Sequence, residues 1–188
     1  PVATSTIRIL SLCGGMGTVG LVLKRIRQMF NIQCDIHVVE VEYCAEARAM
    51  AAHIAGDVST HPKPHDVWEW AANEHRTKSW LQQMGQVDAV VCGFSCQDMS
   101  VAHRQGKGLQ GNKSNVYFGA RQVLRWVKEV YAEVDFLFEC TVFRDKHRTD
   151  WDFVCDDLCS SPTILDAAVV APCYRKRAFW ASFEMLPL

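Results

Sequence analysis

Short apolar runs alternate along this chain with longer segments whose apolar residues recur every three or four positions. That alternation restricts the fold to an α/β arrangement, a sheet covered by helices on both faces. Strands are expected at Ile7–Leu12, Ile36–Val41, Ala89–Cys92, Phe136–Phe138, Ile164–Val170 and Ala178–Phe183, with a further short strand near His53–Ala55. Helices are expected at Val19–Met29, Cys44–Ala52, Val116–Val130 and Asp150–Leu158. The segment Pro172-Cys173-Tyr174-Arg175-Lys176-Arg177 between the last two strands is too short for a helical crossover, so they should pair antiparallel. Residues 61–86, with two prolines and three tryptophans, read as an insertion of one or two helices packed by its tryptophans.

At 188 residues and 49% hydrophobic content the chain can bury one sizeable core, so 1–188 is expected to be a single domain. Charge is nearly balanced, 20 Lys and Arg against 21 Asp and Glu, and any nucleic-acid surface must therefore be a local patch. The nine cysteines are odd in number and scattered through apolar strands, and Pro1–Arg8 is no hydrophobic leader; they read as reduced thiols of an intracellular protein. Cys92/Cys96 and Cys155/Cys159 each lack a second pair at zinc-ligand spacing, so burial rather than a metal accounts for them. No apolar run reaches the roughly 20 residues that a membrane span needs, and no membrane partner is expected.

The first strand runs into Ser11-Leu12-Cys13-Gly14-Gly15-Met16-Gly17-Thr18-Val19-Gly20 and then a helix, so glycines fall where the backbone turns sharply and a ligand can lie close. An ordinary strand-to-helix turn would look the same by itself. Glu40, followed by Val41 at the end of the second strand, is placed to accept both hydroxyls of a ribose. Asp57, followed by Val58 after the expected third strand, is placed to accept from an adenine amino group. Either acid alone reads equally as a solvated loop residue. A glycine turn followed by two acids at successive strand ends points to an adenosine-containing cofactor.

In the run Val90-Val91-Cys92-Gly93-Phe94-Ser95-Cys96-Gln97-Asp98-Met99-Ser100 an apolar strand ends and a small polar loop carries a thiol at its tip, where an α/β enzyme places a nucleophile. Two glycine-rich turns, Gly106 to Gly111, follow and are placed to close over a ligand. Glu139 ends a later strand after Phe136-Leu137-Phe138, and parallel neighbours would bring it beside the Cys96 loop. Burial raises a carboxyl group's affinity for a proton and suits it to general acid work. A capped or paired acid at a strand end is the alternative for Glu139 taken alone.

The order of these segments resembles the cytosine-5 DNA methyltransferase family, most closely the eukaryotic de novo-type enzymes. Leu10-Ser11-Leu12-Cys13-Gly14-Gly15 is similar to its first cofactor motif, and Glu40 and Asp57 to the second and third. Gly93-Phe94-Ser95-Cys96-Gln97-Asp98-Met99-Ser100 resembles the nucleophile motif, Lys107-Gly108-Leu109-Gln110-Gly111-Asn112 the Gly-Leu motif, and Phe138-Glu139-Cys140 the Glu-Asn-Val motif. Pro162 to Ala167 and Tyr174-Arg175-Lys176-Arg177-Ala178-Phe179-Trp180 resemble the strand and Arg-x-Arg segment of the de novo-type enzymes.

The resemblance implies a Rossmann-like methyltransferase fold with a mostly parallel seven-stranded sheet and an antiparallel last strand. It implies S-adenosylmethionine as cofactor and S-adenosylhomocysteine as product, held by Cys13, Gly14, Gly15, Met16, Gly17, Thr18, Glu40, Val41, Asp57, Val58, Gly93 and Leu109. The partner would be DNA with a flipped cytosine. Cys96 would attack ring carbon 6, Glu139 would neutralise charge at ring nitrogen 3, and Arg175 and Arg177 would hold the base and its phosphate. Two arginines spaced by one residue also occur on solvated strand faces.

The chain departs from the family pattern at three positions. Ser95 stands in place of proline, which removes the ring that fixes a backbone angle, and Cys140 in place of asparagine offers only a weak donor. Gly14 stands where many members carry an acidic residue, and so removes a contact to the methionine end of the cofactor. The family's target-recognition region and last motifs lie beyond the segments matched here, so either a second subunit supplies them or the chain is a truncated or degenerate enzyme. Lys107 and Arg144-Asp145-Lys146-His147-Arg148 are then the candidates for phosphate contact. Two alternatives accompany this reading: a catalytically impaired regulatory subunit, and an RNA cytosine-5 methyltransferase. The expected location is the nucleus in a eukaryote and the cytoplasm in a bacterium or phage.

Overall fold

A computed structural model describes residues 5–55, 65–169 and 171–185. The chain divides into two compact units, the first formed by the residues up to Cys92 with Gly119–Val134, the second by Gly93–Phe118 with the residues from Asp135 onward.

The first unit begins β1 (Ser5–Leu12), α1 (Thr18–Met29), β2 (Cys34–Val41) and α2 (Ala45–Ala55). It continues through α3 (Val67–Ala71), α4 (Glu74–Met84) and β3 (Ala89–Gly93), and it contains most of α5 (Val116–Val130). β1 lies between β2 and β3 and is parallel to both, with Leu12 opposite Val41 on one side and Cys92 on the other. Ile9, Leu10, Leu12, Val38, Val39, Val41, Val90 and Cys92 are buried on both faces of these strands, which explains why they read as nearly unbroken apolar runs. Ala120, Val123, Leu124 and Val127 form the buried stripe of α5 at helical spacing.

The tryptophan-rich stretch, read as one or two helices, forms α3 and α4 among the described residues. Asp66 caps α3 by accepting from the Trp68 N–H at 2.9 Å, and Asn73 caps α4 by accepting from the Arg76 N–H at 2.9 Å. Trp70 and Trp80 pack with ring centroids 5.4 Å apart, and the Thr77 hydroxyl donates to the Trp70 carbonyl at 2.6 Å. The Tyr131 hydroxyl reaches the carbonyls of Leu81 and Gly85 at the end of α4.

The second unit holds β4 (Asp135–Thr141), α6 (Arg148–Leu158), β5 (Thr163–Asp166) and β6 (Lys176–Ala181). β6 lies between β4 and β5 and is antiparallel to both, as the short connection requires. Phe138, Cys140, Ala178 and Trp180 alternate onto a buried face with Phe94, Tyr117, Phe143 and Trp151. The rings meet at tilted or edge-on angles, Phe143–Trp151 at 5.1 Å and Trp151–Trp180 at 5.2 Å, a geometry worth about 0.5–1.5 kcal/mol per pair beyond area burial.

The architecture is α/β, with parallel strands first and antiparallel strands last. Six strands are present among the described residues. The short strand expected near His53–Ala55 is instead the end of α2, whose apolar residues satisfy a helical turn equally well. The strand expected over Ile164–Val170 ends at Asp166, because the Asp166 carboxylate accepts from the N–H groups of Ala168 and Arg175, both at 3.1 Å, and turns the chain into a 3-10 segment at Ala167–Val169.

Candidate functional site

Two clusters carry the candidate residues, one in each unit. In the first, β1 runs into the glycine turn, and the Cys13 N–H donates to the Val41 carbonyl at 2.8 Å. Cys13, Gly15 and Gly17 hold φ of 56°, 59° and 78°, so the turn needs left-handed backbone. Gly17 is needed twice over, since a β-carbon there would sit 2.7 Å from that of Ala51 in α2. Met16 and Thr18 are exposed at the rim.

The acid that accepts a hydrogen bond from the backbone of this turn is Glu42. It follows the last residue of β2, is buried, and accepts from the Gly15 N–H at 3.0 Å and the Cys44 N–H at 2.9 Å. Glu40 lies lower, opposite Ser11 in the β1–β2 register. Both its carboxyl oxygens and the Ser11 hydroxyl are buried without a hydrogen-bond partner among the described residues. Burial pushes the Glu40 carboxyl above its ordinary value; the nearby Ser11 hydroxyl favours the charged form without reaching hydrogen-bond geometry, and the charge of Glu42 adds to the upward push. Asp57 and Val58 lie outside the described residues. The signal for Glu42 was available in the sequence: it is the first acid past the last apolar residue of the strand, where a carboxylate clears the sheet.

In the second unit, Phe94 is buried and Cys96 half-buried at the head of a tight turn, its carbonyl accepting from the N–H groups of Met99 at 3.1 Å and Ser100 at 2.8 Å. Asp98 is the hub of the loop. Its carboxylate accepts from the N–H groups of Lys113 at 2.9 Å and Ser114 at 3.1 Å, its own N–H donates to the Ser114 hydroxyl at 3.2 Å, and that hydroxyl donates to the Ser95 carbonyl at 2.7 Å. The Lys113 amide, followed by that of Ser114 and by the neighbouring charges of His103 and Lys113, holds the Asp98 carboxyl below its usual range against the cost of burial. Gly106 and Gly111 close over Asp98 itself: a β-carbon at Gly106 would lie 2.2 Å from its carbonyl oxygen and one at Gly111 2.1 Å from its carboxyl carbon. Lys146 braces the far side, donating to the carbonyls of Ser100 at 2.8 Å and His103 at 2.6 Å.

Glu139 and Arg177 meet on the opposite face from the aromatic core, Arg177 Nε lying 2.7 Å from Glu139 Oε1. Burial raises the Glu139 carboxyl, and the charges of Arg177 and Arg175 oppose that rise. Cys140 is buried behind it. Desolvation pushes its thiol well above the ordinary value, and the neighbouring Cys96 and Glu139 push in the same direction. Arg175 is exposed, with its N–H tied to Asp166. Gly93 is exposed at the end of β3, whereas Leu109 is a core residue whose N–H donates to the Asp150 carboxylate at 2.9 Å. Arg104, Lys107, Lys113 and Arg144 are exposed, while Arg148 pairs with Asp152 at 2.8 Å.

All nine cysteines are free. Among the described residues no group of His, Cys, Asp and Glu side chains could hold a metal ion, and no helix is long and apolar enough to cross a membrane.

No family model matches the chain. Its fold matches that of a methyltransferase of Entamoeba histolytica, with a TM-score of 0.64 and 9% identity over 95% of this chain and 53% of that one. The Dnmt2 methyltransferase of S. pombe matches with a TM-score of 0.56 and 16% identity over 96% of this chain and 50% of that one. A Listeria monocytogenes protein assigned to the class I S-adenosylmethionine-dependent methyltransferases matches at 0.53 and 14%, over 96% and 55%. The chain thus has a class I methyltransferase fold and spans about half the length of these structures.

Proposed function

We propose that the chain transfers a methyl group from S-adenosylmethionine to carbon 5 of a cytosine flipped out of DNA. The observation that supports this reading is a carboxyl group whose proton affinity is raised by burial and which is faced by a guanidinium at 2.7 Å, in the same compact unit as the half-buried thiol of Cys96. Cys96 as thiolate forms a bond from sulfur to ring carbon 6. Glu139 holds a proton at ring nitrogen 3, so the electron pair released by the attack settles at carbon 5 rather than as a full anion on the ring. S-adenosylmethionine supplies the methyl cation equivalent and leaves as S-adenosylhomocysteine. Loss of the carbon 5 proton to a base, with the electron pair returning to expel sulfur, restores the aromatic ring and the thiolate. Arg177, paired with Glu139, sets the carboxyl's proton affinity, and the exposed Arg175 serves the phosphate.

The cofactor's place is assigned to the glycine turn on the chemistry of its donors. Three residues at positive φ open the backbone, and Glu42 offers carboxyl oxygens at the strand end where a nucleoside's ribose hydroxyls are held in folds of this kind. Recognition of the DNA strand is assigned to Arg104, Lys107, Lys113 and Arg144 through phosphate contacts, with a second subunit supplying base reading.

Duplex DNA carrying 5-fluorocytosine tests the proposal, because fluorine at carbon 5 blocks the final proton loss and traps the sulfur–carbon bond. With S-adenosylmethionine present, a covalent adduct is expected that disappears in Cys96→Ala. If the intact protein binds the cofactor yet forms no adduct with DNA or with transfer RNA, the regulatory reading replaces the catalytic one; that reading draws on the buried thiol of Cys140 where an amide would tie the loop. An adduct with transfer RNA alone would make the chain an RNA enzyme.

A further inference from the structure

Beyond Ser100 the thiol loop has little of its own to hold it in place. Val101, Ala102, His103, Arg104 and Gln105 are all exposed, so apolar burial does not anchor this stretch. Two short backbone turns fold it instead, the His103 N–H donating to the Ser100 carbonyl at 3.1 Å and the Gly106 N–H to the His103 carbonyl at 2.9 Å. The His103 ring turns back onto the Gln97 carbonyl at 3.0 Å, inside the same loop. Such contacts fix a shape without fixing where it sits, and exposed backbone with few buried contacts opens locally at little cost.

Lys146 supplies the attachment. Its Nζ donates to the Ser100 carbonyl at 2.8 Å and to the His103 carbonyl at 2.6 Å, the two carbonyls that close those turns. Among the described residues, the hydrogen bonds that reach residues 100–105 from outside the loop both come from this ammonium. The backbone beneath it is firmly held. The N–H groups of Lys146 and His147 both donate to the Phe143 carbonyl, at 3.1 and 2.9 Å, and Phe143 is buried against Trp151 and Trp180 with ring centroids 5.1 and 6.0 Å away. Phe143 itself follows closely on β4, the strand that carries Glu139.

We infer that Lys146 is a positioning residue: its ammonium pins the outer limb of the Cys96 loop to the segment that follows the strand of Glu139, and so sets the place of the thiol-bearing turn relative to that strand. The link to the thiol is short, because the Ser100 N–H donates to the Cys96 carbonyl at 2.8 Å; the residue that Lys146 pins also closes the turn headed by the cysteine. Two of the three ammonium N–H groups are committed to carbonyls, which separates Lys146 from the basic residues assigned to phosphate contact. A displacement of about 1 Å in a group that must meet its substrate in register slows a reaction by roughly 100-fold. The consequence for methyl transfer rests on the activity proposed above; the attachment of the loop does not.

Hydrogen exchange read by mass spectrometry tests the attachment without any ligand. In Lys146→Met, which keeps the alkyl stem and loses the donors, peptides covering residues 97–106 are expected to exchange about tenfold faster or more, with β4, α6 and the thermal midpoint unchanged. Should that variant fail to fold, Lys146→Gln, which keeps a neutral donor, carries the same comparison. With 5-fluorocytosine DNA and S-adenosylmethionine, adduct formation at saturating DNA is expected to slow roughly ten- to a hundredfold, at unchanged DNA affinity and unchanged salt dependence. Loop exchange equal to that of the unaltered protein overturns the inference. So does weaker DNA binding with a shallower salt dependence and an unaltered rate at saturation, which would make Lys146 a phosphate contact. If the unaltered protein forms no adduct, the proposed reaction falls, and the exchange comparison still decides whether Lys146 holds the loop.

Discussion

Arg177 reaches Glu139 diagonally across the β4–β6 ladder: Thr141 stands opposite Arg177 and Glu139 opposite Phe179, and the two charged side chains close on the same face at 2.7 Å. Cross-strand diagonals of this kind are within reach of long side chains. The arginine opposes the burial that raises the carboxyl, so the pair sets how readily Glu139 carries a proton.

Replacing Arg177 with Gln should therefore move the Glu139 titration further upward. Carboxyl-carbon NMR of selectively labelled protein against pH reads this directly, with Glu139→Gln identifying the resonance. A downward or null movement would show that the ion pair does not govern the proton.

The stability of the folded chain should fall as pH rises through the raised titrations of Glu40 and Glu139. Both carboxyls are held above their unfolded value of 4.5, so their relative contribution is fully present below that value and is lost on ionisation in the folded state. Glu40→Gln should flatten this dependence, measured as the urea midpoint across the pH series.

Asp98 should act with the opposite sign. Its folded carboxyl lies below the ordinary 3.8, so its contribution is present above that value and disappears as pH falls through the lowered titration. Asp98→Asn keeps the shape but weakens the acceptor for two amides, and should cost about 1–2 kcal/mol near neutral pH and nothing in strong acid. Chemical denaturation at both conditions tests the sign.

Thiol alkylation should follow exposure. Cys159 and Cys173 are exposed and should react first with iodoacetamide, then the half-buried Cys96, while Cys34, Cys92 and Cys140 stay protected until unfolding. Peptide mass spectrometry over time gives the order. Early labelling of Cys140 would mean that the face behind Glu139 opens.

Much of this architecture is legible in the amino-acid order because parallel strands buried on both faces leave unbroken apolar runs, as in Ile36–Val41 and Ala89–Cys92, and because α5 keeps its helical stripe from Val116 to Val130. The boundaries of the last strands are less so, since Asp166 ends β5 through contacts with Ala168 and Arg175 that depend on the fold. At the glycine turn the sequence offered two acids two residues apart. That Glu42 reaches the turn's backbone follows from β2 ending at Val41, and a run such as Val39-Glu40-Val41-Glu42 does not fix its own end. Cys96 and Glu139 were named from their positions at strand ends and Arg177 from the resemblance of its segment; the hub role of Asp98 was hidden because its partners Lys113 and Ser114 lie fifteen and sixteen residues away on a loop without periodic pattern.

The shape of the Cys96 loop is stored in amide-to-carboxylate and amide-to-carbonyl bonds, with Ser114 and Lys146 anchoring it from outside. At its tip the Ser95 hydroxyl adds only a 3.4 Å contact from the Gln97 N–H, so the loop's position depends little on that side chain. Replacing the aspartate two places after the cysteine should therefore disturb this bend more than any substitution at Ser95.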